Sequence, residues 1–150
     1  MANTLYLIGS LRNPEVPSVA QQLRKQGWDV FDDWYAAGPE ADDYWKAYEE
    51  SRGHTYEQAL EGYAANNVFQ FDRFHLDRCG HVVLLLPAGR SGHLEFGFAM
   101  GRGKHGVICR EAGTERWDVM YRFASKVVDG VPALLDYMST ITTERLGCKK

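Results

Sequence analysis

The sequence lacks the features that mark two large classes of protein. None of its apolar runs approaches the roughly 20 residues that a membrane-spanning helix needs. Basic residues are not in excess, since 17 Lys and Arg stand against 20 Asp and Glu, for a net charge of −3. We therefore predict no membrane span, and no nucleic-acid polymer as partner, because such partners select basic surfaces.

Cysteine is scarce. The three residues Cys79, Cys109 and Cys148 form an odd set with no CxxC pair, which predicts reduced thiols and neither a disulfide framework nor a zinc site. The amino-terminal MANTLYLIGS has neither the basic region nor the small-residue cleavage site of a signal peptide. We therefore expect a cytoplasmic protein.

Cofactor motifs are also missing. The sequence contains neither GxGxxG nor GxxxxGK[ST], so dinucleotide and P-loop binding are not supported. Residues 89–92 fall one residue short of a GxSxG nucleophile elbow. His93 and Glu95 match the HxE of zinc deaminases, but no PCxxC follows. We expect no metal and no cofactor.

The chain does have a regular alternation of predicted strands and helices. A strand at 4–8 precedes a helix to about residue 26, with Asn13 as N-cap, Pro14 at N1 and Gly27 as terminator. The apolar face of this helix consists of Val16, Val19, Ala20 and Leu23. Further strands are predicted at 28–31, 81–86, 106–109 and 126–128.

Helices are predicted between these strands at about 43–51, 54–77, 93–102, 117–123 and 131–140. The 54–77 helix has its apolar positions at spacings of three and four, and the polar tail 142–150 is expected to fray. The pattern predicts one α/β domain over 1–150, a doubly wound, mostly parallel five-stranded sheet with helices on both faces (Rossmann/flavodoxin-like). Residues 32–53, acidic and aromatic, would form a lid insertion.

Three loops should meet where such a fold binds ligands, beyond the carboxyl ends of the strands. They are 9–13, 32–43 and 87–93. The first offers free N–H groups, a hydroxyl and a guanidinium, which suit an anion or a sugar hydroxyl. The alternative is a capped turn with a surface arginine.

Two carboxylates are candidates for chemistry. Glu95 follows the third loop on a helix that looks buried, where a carboxylate needs compensation; the alternative is a capping glutamate. Asp72 shares a helix face with His75, Leu76 and Cys79. Taken by itself, the simpler interpretation of Asp72 is a solvated charge paired with a neighbouring arginine.

Three segments together resemble the nucleoside 2-deoxyribosyltransferase superfamily, which includes deoxynucleoside 5′-monophosphate N-glycosidases and CMP hydrolases. They are Gly9-Ser10-Leu11-Arg12-Asn13 after the first strand, Asp72 ahead of an apolar strand, and Ser91-Gly92-His93-Leu94-Glu95-Phe96-Gly97. The resemblance covers about residues 4–110. The chain departs from it at Cys79-Gly80, where the family often has Ala-Asp, at His93, where a small residue is common, and in its longer 32–53 segment.

The resemblance implies a role for each matching residue. Glu95 would be the nucleophile, Asp72 the second carboxylate and Tyr6 the residue that orients the nucleophile. Sugar or phosphate would be bound by Gly9, Ser10, Arg12, Ser91 and Gly92. We add as candidate substrate-binding residues Asp32, Asp33, Trp34, Arg90 and His93. On the lid, Trp34, Tyr35 or Trp45 would stack on a base or, alternatively, pack the lid onto the sheet.

The function that follows is cleavage of the N-glycosidic bond of a nucleoside or nucleoside 5′-monophosphate through a glycosyl-enzyme intermediate. Hydrolysis is preferred, because Ser10, Arg12, Arg90 and Ser91 offer several phosphate donors. Base exchange and a non-catalytic nucleotide-binding module are the alternatives. Relatives of this kind are usually dimers or larger, so we also expect a homo-oligomer, most simply a homodimer.

Overall fold

The computed structural model describes residues 3–147, which form one parallel β-sheet covered by helices. Its strands are β1 (Thr4–Ile8), β2 (Asp29–Phe31), β3 (His81–Leu85), β4 (His105–Arg110) and β5 (Lys126–Asp129). Its helices are α1 (Val16–Lys25), α2 (Ala41–Ser51), α3 (Tyr56–Leu60), α4 (Tyr63–Arg78), α5 (Arg90–Gly101) and α6 (Val131–Gly147). Two 3₁₀ turns lie at Asp33–Ala37 and Val119–Phe123.

The sheet has the strand order β2-β1-β3-β4-β5, and every neighbouring pair is parallel. Tyr6 lies in register with Phe31 on one side and Val82 on the other. All five residues of β1 and of β3 are buried, as expected of strands covered on both faces. The predicted five-stranded, doubly wound α/β fold is confirmed.

The two faces of the sheet carry different helices. Leu5 and Leu7 of β1 belong to the core under α1 and α6, whereas Tyr6 and Ile8 belong to the core under α4 and α5. Helix α5 lies very close to the sheet at Gly92, where an added Cβ would stand 3.1 Å from Ile8 Cγ2. The three loops that the sequence predicts to meet follow directly after β1, β2 and β3, at the carboxyl ends of these strands.

The start of α1 differs from the prediction. The helix begins at Val16 with Glu15 as its N-cap, not at Asn13 and Pro14. The side chain of Asn13 instead forms a turn of its own, with Oδ1 accepting from the Glu15 N–H at 3.0 Å. The predicted apolar face of α1 is buried, and Gly27 ends the helix with a φ of +97°.

The single helix predicted over 54–77 is wrong, because the structure breaks it into α3 and α4 at Gly62. A capping box between Thr55 and Gln58 starts the first piece. Most of the apolar stripe assigned to that helix lies in solvent, with Tyr63 94% and Val68 60% exposed. Spacing shows that a helix has an apolar face, but it does not show that the same chain covers it.

Two other boundaries move. Helix α5 begins at Arg90, so residues 90–92 belong to it and not to the predicted loop, and Leu94, expected to be buried, is 75% exposed. Helix α6 runs to Gly147, so the prediction of a frayed tail from residue 142 is wrong as far as 147. Residues 148–150 lie outside the described range, so the prediction of a reduced thiol at Cys148 falls outside it as well.

The lid segment 32–53 is mostly helical, made of the 33–37 turn and α2. The helix predicted at 117–123 is the 3₁₀ turn at Val119–Phe123. Cys79 and Cys109 are free and buried. Within residues 3–147, no helix is both long and apolar enough to cross a bilayer.

Candidate active site

Three side chains from three elements meet on the α4 and α5 side of the sheet. Tyr6 rises from the middle of β1 and is 1% exposed. Its hydroxyl is hydrogen-bonded to the carboxyl group of Glu95 on α5. Asp72 on α4 lies close enough to act electrostatically on both. The structure thus brings together the three residues that the resemblance names as catalytic.

Burial dominates the electrostatics of this trio. It raises the pKa of Glu95 to about 7, Asp72 raises it further, and the hydrogen bond from Tyr6 opposes the rise. Burial also raises the pKa of Asp72 and, together with the charge of Glu95, that of Tyr6. Tyr6 is therefore a neutral donor at any physiological pH, and both carboxyl groups hold protons more tightly than in water.

The simpler interpretations of the two carboxylates do not fit the structure. Glu95 is the sixth residue of α5, past its first turn, and cannot cap the helix. Its Oε2 is buried without a hydrogen-bond partner among the described residues. The arginines beside Asp72 are engaged elsewhere, because Arg73 pairs with Asp77 at 3.5 Å and Arg78 donates to His75 at 2.8 Å.

The first loop holds its polar groups near the lid. Ser10 Oγ accepts from the Arg12 N–H at 3.1 Å. The exposed guanidinium of Arg12 lies 3.5 Å from the carboxylate of Asp43 on α2. At Gly9 there is little room for a side chain, since a Cβ would stand 3.2 Å from Val16 Cγ2. Arg12 is therefore available to an anion only in competition with Asp43.

The amino-terminal end of α5 has no capping side chain, and Arg90 and Ser91 are exposed in its first turn. Unsatisfied N–H groups at such an end favour anions. His93 is held in place, because its Nδ1 lies 2.8 Å from the Gly89 carbonyl oxygen and must donate to it. Its Nε2 therefore accepts from the Tyr121 hydroxyl at 2.9 Å.

The lid residues are more tightly engaged than a free stacking platform would be. Trp34 donates from Nε1 to the Leu7 carbonyl at 2.8 Å and packs against both cores. Asp32 forms an ion pair with Arg24. Asp33 is exposed at the start of the 33–37 turn. The bond from Trp34 therefore holds the lid on the sheet, and the ion pair of Asp32 holds its start on α1.

The other two rings proposed to stack on a base, Tyr35 and Trp45, also have protein neighbours. Tyr35 lies edge-on to Trp34, with ring centroids 5.9 Å apart. Trp45 lies edge-on to Tyr56 of α3 at 6.4 Å. Trp45 thus packs α2 against α3, and not onto the sheet as the alternative interpretation had it.

The sequence did not single out the residues that support Tyr6 and His93. The Phe31 ring lies 5.0 Å from Tyr6, and His75 stacks on Phe31 at 3.9 Å. Burial and the charge of Arg78 lower the pKa of His75, so that ring is neutral. Tyr121 reaches His93 from a turn 28 residues away in sequence. Phe31 lies in the strand predicted at 28–31, but nothing local predicted these pairings.

Among residues 3–141, whose side chains the structure describes, no group of three or more His, Cys, Asp or Glu side chains is placed to hold a metal ion. The chemistry available to the described site is that of carboxyl groups, a phenol and backbone N–H groups.

Comparison with known proteins gives matches in structure only. No protein-family model matches the chain, and no curated protein sequence matches it. Three solved structures are similar over nearly their whole length. A CMP N-glycosidase from Clostridium botulinum, BcmB, has a TM-score of 0.57 and 12% identity, covering 90% of this chain and 97% of its own.

The other two structures give comparable figures. A 2-deoxyribosyltransferase from Bacillus psychrosaccharolyticus has a TM-score of 0.61 and 17% identity, covering 92% of this chain and 95% of its own. A conserved protein from Enterococcus faecalis V583 has a TM-score of 0.62 and 13% identity, covering 93% and 99%. The chain therefore has the fold of proteins in the nucleoside 2-deoxyribosyltransferase-like group that its motifs resemble.

Proposed function

We propose that this chain is an enzyme that cleaves the N-glycosidic bond of a nucleoside or a nucleoside 5′-monophosphate. One observation carries the proposal. A partly buried glutamate with a pKa near 7 is hydrogen-bonded to a neutral tyrosine and lies within electrostatic reach of a second carboxyl group. Perturbed carboxyl pairs of this kind are typical of catalytic sites. The shared fold with a CMP N-glycosidase and a 2-deoxyribosyltransferase supports the same reaction class.

The proposed mechanism assigns a step to each residue. Ionised Glu95, oriented by the Tyr6 hydroxyl, attacks the anomeric carbon, and the bond from that carbon to the base nitrogen breaks. The bonding electrons leave with the base, and Asp72, whose pKa is raised by burial, supplies the proton. Water then attacks the anomeric carbon of the glycosyl ester and gives a proton to the Asp72 carboxylate, which releases the sugar with net retention, regenerates the Glu95 anion and restores the proton of Asp72.

We assign the 5′-phosphate to the uncapped end of α5 and the first loop. The donors there are the N–H groups of the first turn of α5, Arg90, Ser91 and Arg12, with Ser10 beside them. A dianion at a helix amino terminus is favoured by the helix dipole as well as by these donors. The abundance of donors makes hydrolysis of a monophosphate the preferred reaction.

Base exchange is the second candidate, because one structure of the same fold is a 2-deoxyribosyltransferase. It differs from hydrolysis only in the nucleophile that resolves the glycosyl ester. A module that binds nucleotides without turning them over is the third, and an intact set of Tyr6, Asp72 and Glu95 argues against it.

One experiment separates the three. The purified chain is incubated with a panel of nucleosides, deoxynucleosides and their 5′-monophosphates, with and without a second free base. Released base without acceptor supports hydrolysis, and a new nucleoside formed only with acceptor supports exchange. Saturable binding with neither product overturns the enzymatic proposal.

We further infer that the working form is a homodimer. Exposed apolar side chains lie on α4, at one position of α5 and in the segment around the 119–123 turn. On α4 and α5 they are Val68 (60% exposed), Phe69 (57%), Phe74 (63%) and Leu94 (75%), and around the turn they are Trp117 (88%), Val119 (81%) and Phe123 (70%). Monomeric proteins rarely leave so many large apolar groups in water, and a self-complementary patch on a second copy is the simplest cover.

A further inference from the structure

The hydrogen bond from Tyr6 to Glu95 depends on where the Tyr6 ring lies. Strand β1 fixes the backbone of Tyr6, but the hydroxyl stands at the far end of a ring that turns about its side-chain bonds. The Phe31 ring packs against it across the β1–β2 pair, with centroids 5.0 Å apart. Contacts that fix Phe31 therefore help to fix the hydroxyl that orients Glu95.

Helix α4 covers Phe31. This residue ends β2, a strand of three residues at one edge of the sheet, and yet it is only 3% exposed. His75 stacks on it, with ring centroids 3.9 Å apart and planes 9° from parallel. Phe71 meets the same ring edge-on at 5.8 Å. The position of Phe31 is therefore set by side chains of α4 as well as by β1.

The His75 ring is itself held in one orientation. Arg78, one turn further along α4, donates from Nε to His75 Nδ1 at 2.8 Å. A guanidinium can only donate, so Nδ1 is the acceptor and the proton of the neutral ring lies on Nε2. Burial and Arg78 lower the pKa of His75, against the effect of Asp33 on the lid. His75 therefore contributes a fixed, uncharged ring.

We propose that His75 is a positioning residue, which acts through Phe31 to hold the Tyr6 ring where its hydroxyl meets the Glu95 carboxyl group. His75 lies three residues after Asp72 and so on the same face of α4. One helix face thus carries both the second carboxyl group and the ring that supports Tyr6. The catalytic consequence rests on the proposed function, in which Glu95 is the nucleophile.

The effect on Glu95 can be measured without any substrate. Among the described residues, the titratable groups that act on the pKa of Glu95 are Tyr6 of β1, whose hydrogen bond lowers it, and Asp72 of α4, which raises it. Because His75 is neutral, its removal takes no charge from the site. When the rings behind Tyr6 are loosened, the hydrogen bond weakens and the pKa of Glu95 rises above about 7.

The test is a ¹³C NMR titration of the full chain labelled at the glutamate carboxyl carbons, with the Glu95 signal assigned by its loss in Glu95→Gln. We expect His75→Ala to raise the pKa of Glu95 by about half a unit or more. His75→Phe restores a stacked ring without the nitrogen atoms and should return the pKa to the wild-type value. Gln70→Ala, at an exposed position on the same helix, is the matched control and should leave the pKa unchanged.

Three results would overturn the proposal. They are an unchanged pKa of Glu95 in folded His75→Ala, an equal rise in Gln70→Ala, and a rise in His75→Phe as large as in His75→Ala. If His75→Ala does not fold, Arg78→Met removes the bond to Nδ1 and leaves both rings in place. Arg78 does not act on Glu95 directly, so a smaller rise in that variant supports the proposal and no rise contradicts it.

Kinetics separate this role from the proposed function. The midpoint of the kcat/KM profile for base release should move up with the pKa of Glu95 in His75→Ala and stay at the wild-type pH in His75→Phe. A wild-type chain that releases no base would overturn the proposed function, and the NMR titration would still decide whether His75 holds Tyr6. Base release by a wild type whose Glu95 does not respond to His75→Ala would overturn the positioning role alone.

Discussion

Two opposing effects set the pKa of Glu95 at the centre of the site. Burial favours its neutral form, and the hydrogen bond from Tyr6 favours its anion. The net result is a pKa of about 7, which leaves a substantial fraction ionised at neutral pH. A group so placed is a stronger base and nucleophile than a solvated glutamate, and it is still available as the anion.

Replacing Glu95 should stop the reaction without unfolding the protein. We expect Glu95→Ala and Glu95→Gln to lower kcat for base release by roughly three orders of magnitude or more, because no other described carboxylate is hydrogen-bonded to Tyr6. Base release followed by chromatography measures this. Glu57→Gln, an exposed carboxylate on α3, is the matched control. Wild-type turnover in Glu95→Ala would exclude the covalent mechanism.

The pKa of Glu95 predicts how rate depends on pH. Since the attacking form is the anion, kcat/KM should rise with pH through about 7. A kcat/KM profile that instead falls across this range would assign Glu95 to proton donation. Buffers matched in ionic strength keep surface charges from contributing.

The same pKa predicts the opposite trend for stability. The folded state binds the Glu95 proton more tightly than the unfolded state, so stability falls as pH rises from about 4.5 to about 7. The cost present above pH 7 is at most about 3 kcal/mol at 1.36 kcal/mol per pKa unit. Glu95→Gln removes it, so its Tm relative to wild type should be higher at about pH 8 than at about pH 4. Equal differences at both would contradict the raised pKa.

Single residues differ in how far the sequence could predict them. Glu95, Asp72 and Tyr6 lie in motifs whose spacing relative to predicted strands carries the resemblance, and the structure brings them together. The bond from Trp34 to Leu7 and the pair of His93 with Tyr121 join segments 27 and 28 residues apart. No local pattern encodes such partners, because their proximity depends on how separate elements pack.

At the scale of elements, α2 is joined to the first loop by the exposed pair of Arg12 and Asp43. Both side chains are largely in water, 73% and 70% exposed, so the pair contributes little to stability. Its consequence is for binding. A 5′-phosphate that takes up Arg12 must compete with Asp43, and α2 would lose that contact.

Replacing Arg12 and replacing Asp43 should change KM for monophosphates in opposite directions. Arg12→Ala should raise KM for monophosphates about tenfold and alter KM for the matching nucleosides much less, because only the phosphate needs the guanidinium. Asp43→Asn should lower KM for monophosphates modestly by freeing Arg12. Steady-state kinetics on a nucleoside and its monophosphate measure both. Equal effects of Arg12→Ala on the two substrates would remove Arg12 from the phosphate site.

Elements were predictable where burial leaves a clear pattern. The apolar run of β3 and the spacing of Val16, Val19, Ala20 and Leu23 predicted a buried strand and a buried helix face, and both are found. The break at Gly62 was missed, because one glycine in a periodic stretch does not by itself end a helix. The start of α5 was placed three residues late, since Gly and Ser resemble loop residues.

At the scale of the whole molecule, the aromatic content divides between two surfaces and a core. Tyr6, Phe31 and Phe96 are buried, whereas the Tyr and Phe rings of α4 and those of Trp117 and Phe123 are exposed. Periodicity predicted an apolar face along this part of the chain, and the structure leaves most of that face of α4 exposed. An amphipathic helix face indicates that another surface packs on it. The sequence does not show whether that surface belongs to the same chain or to a second molecule. We propose that a second copy of the chain covers this face.

Self-association can be tested by light scattering after size exclusion, where the protein should have twice the 17.0 kDa mass of the chain. A stable interface of this kind needs about 1,200–2,000 Å² of buried surface with an apolar centre. A charge placed at that centre must be desolvated, so Phe69→Glu combined with Trp117→Glu should give a monomer with an unchanged far-ultraviolet circular dichroism spectrum. Tyr44→Glu, 68% exposed on α2 and outside the apolar surface, should remain a dimer. A monomeric wild type at micromolar concentration, or a double variant that stays dimeric, would show that these faces are not the interface.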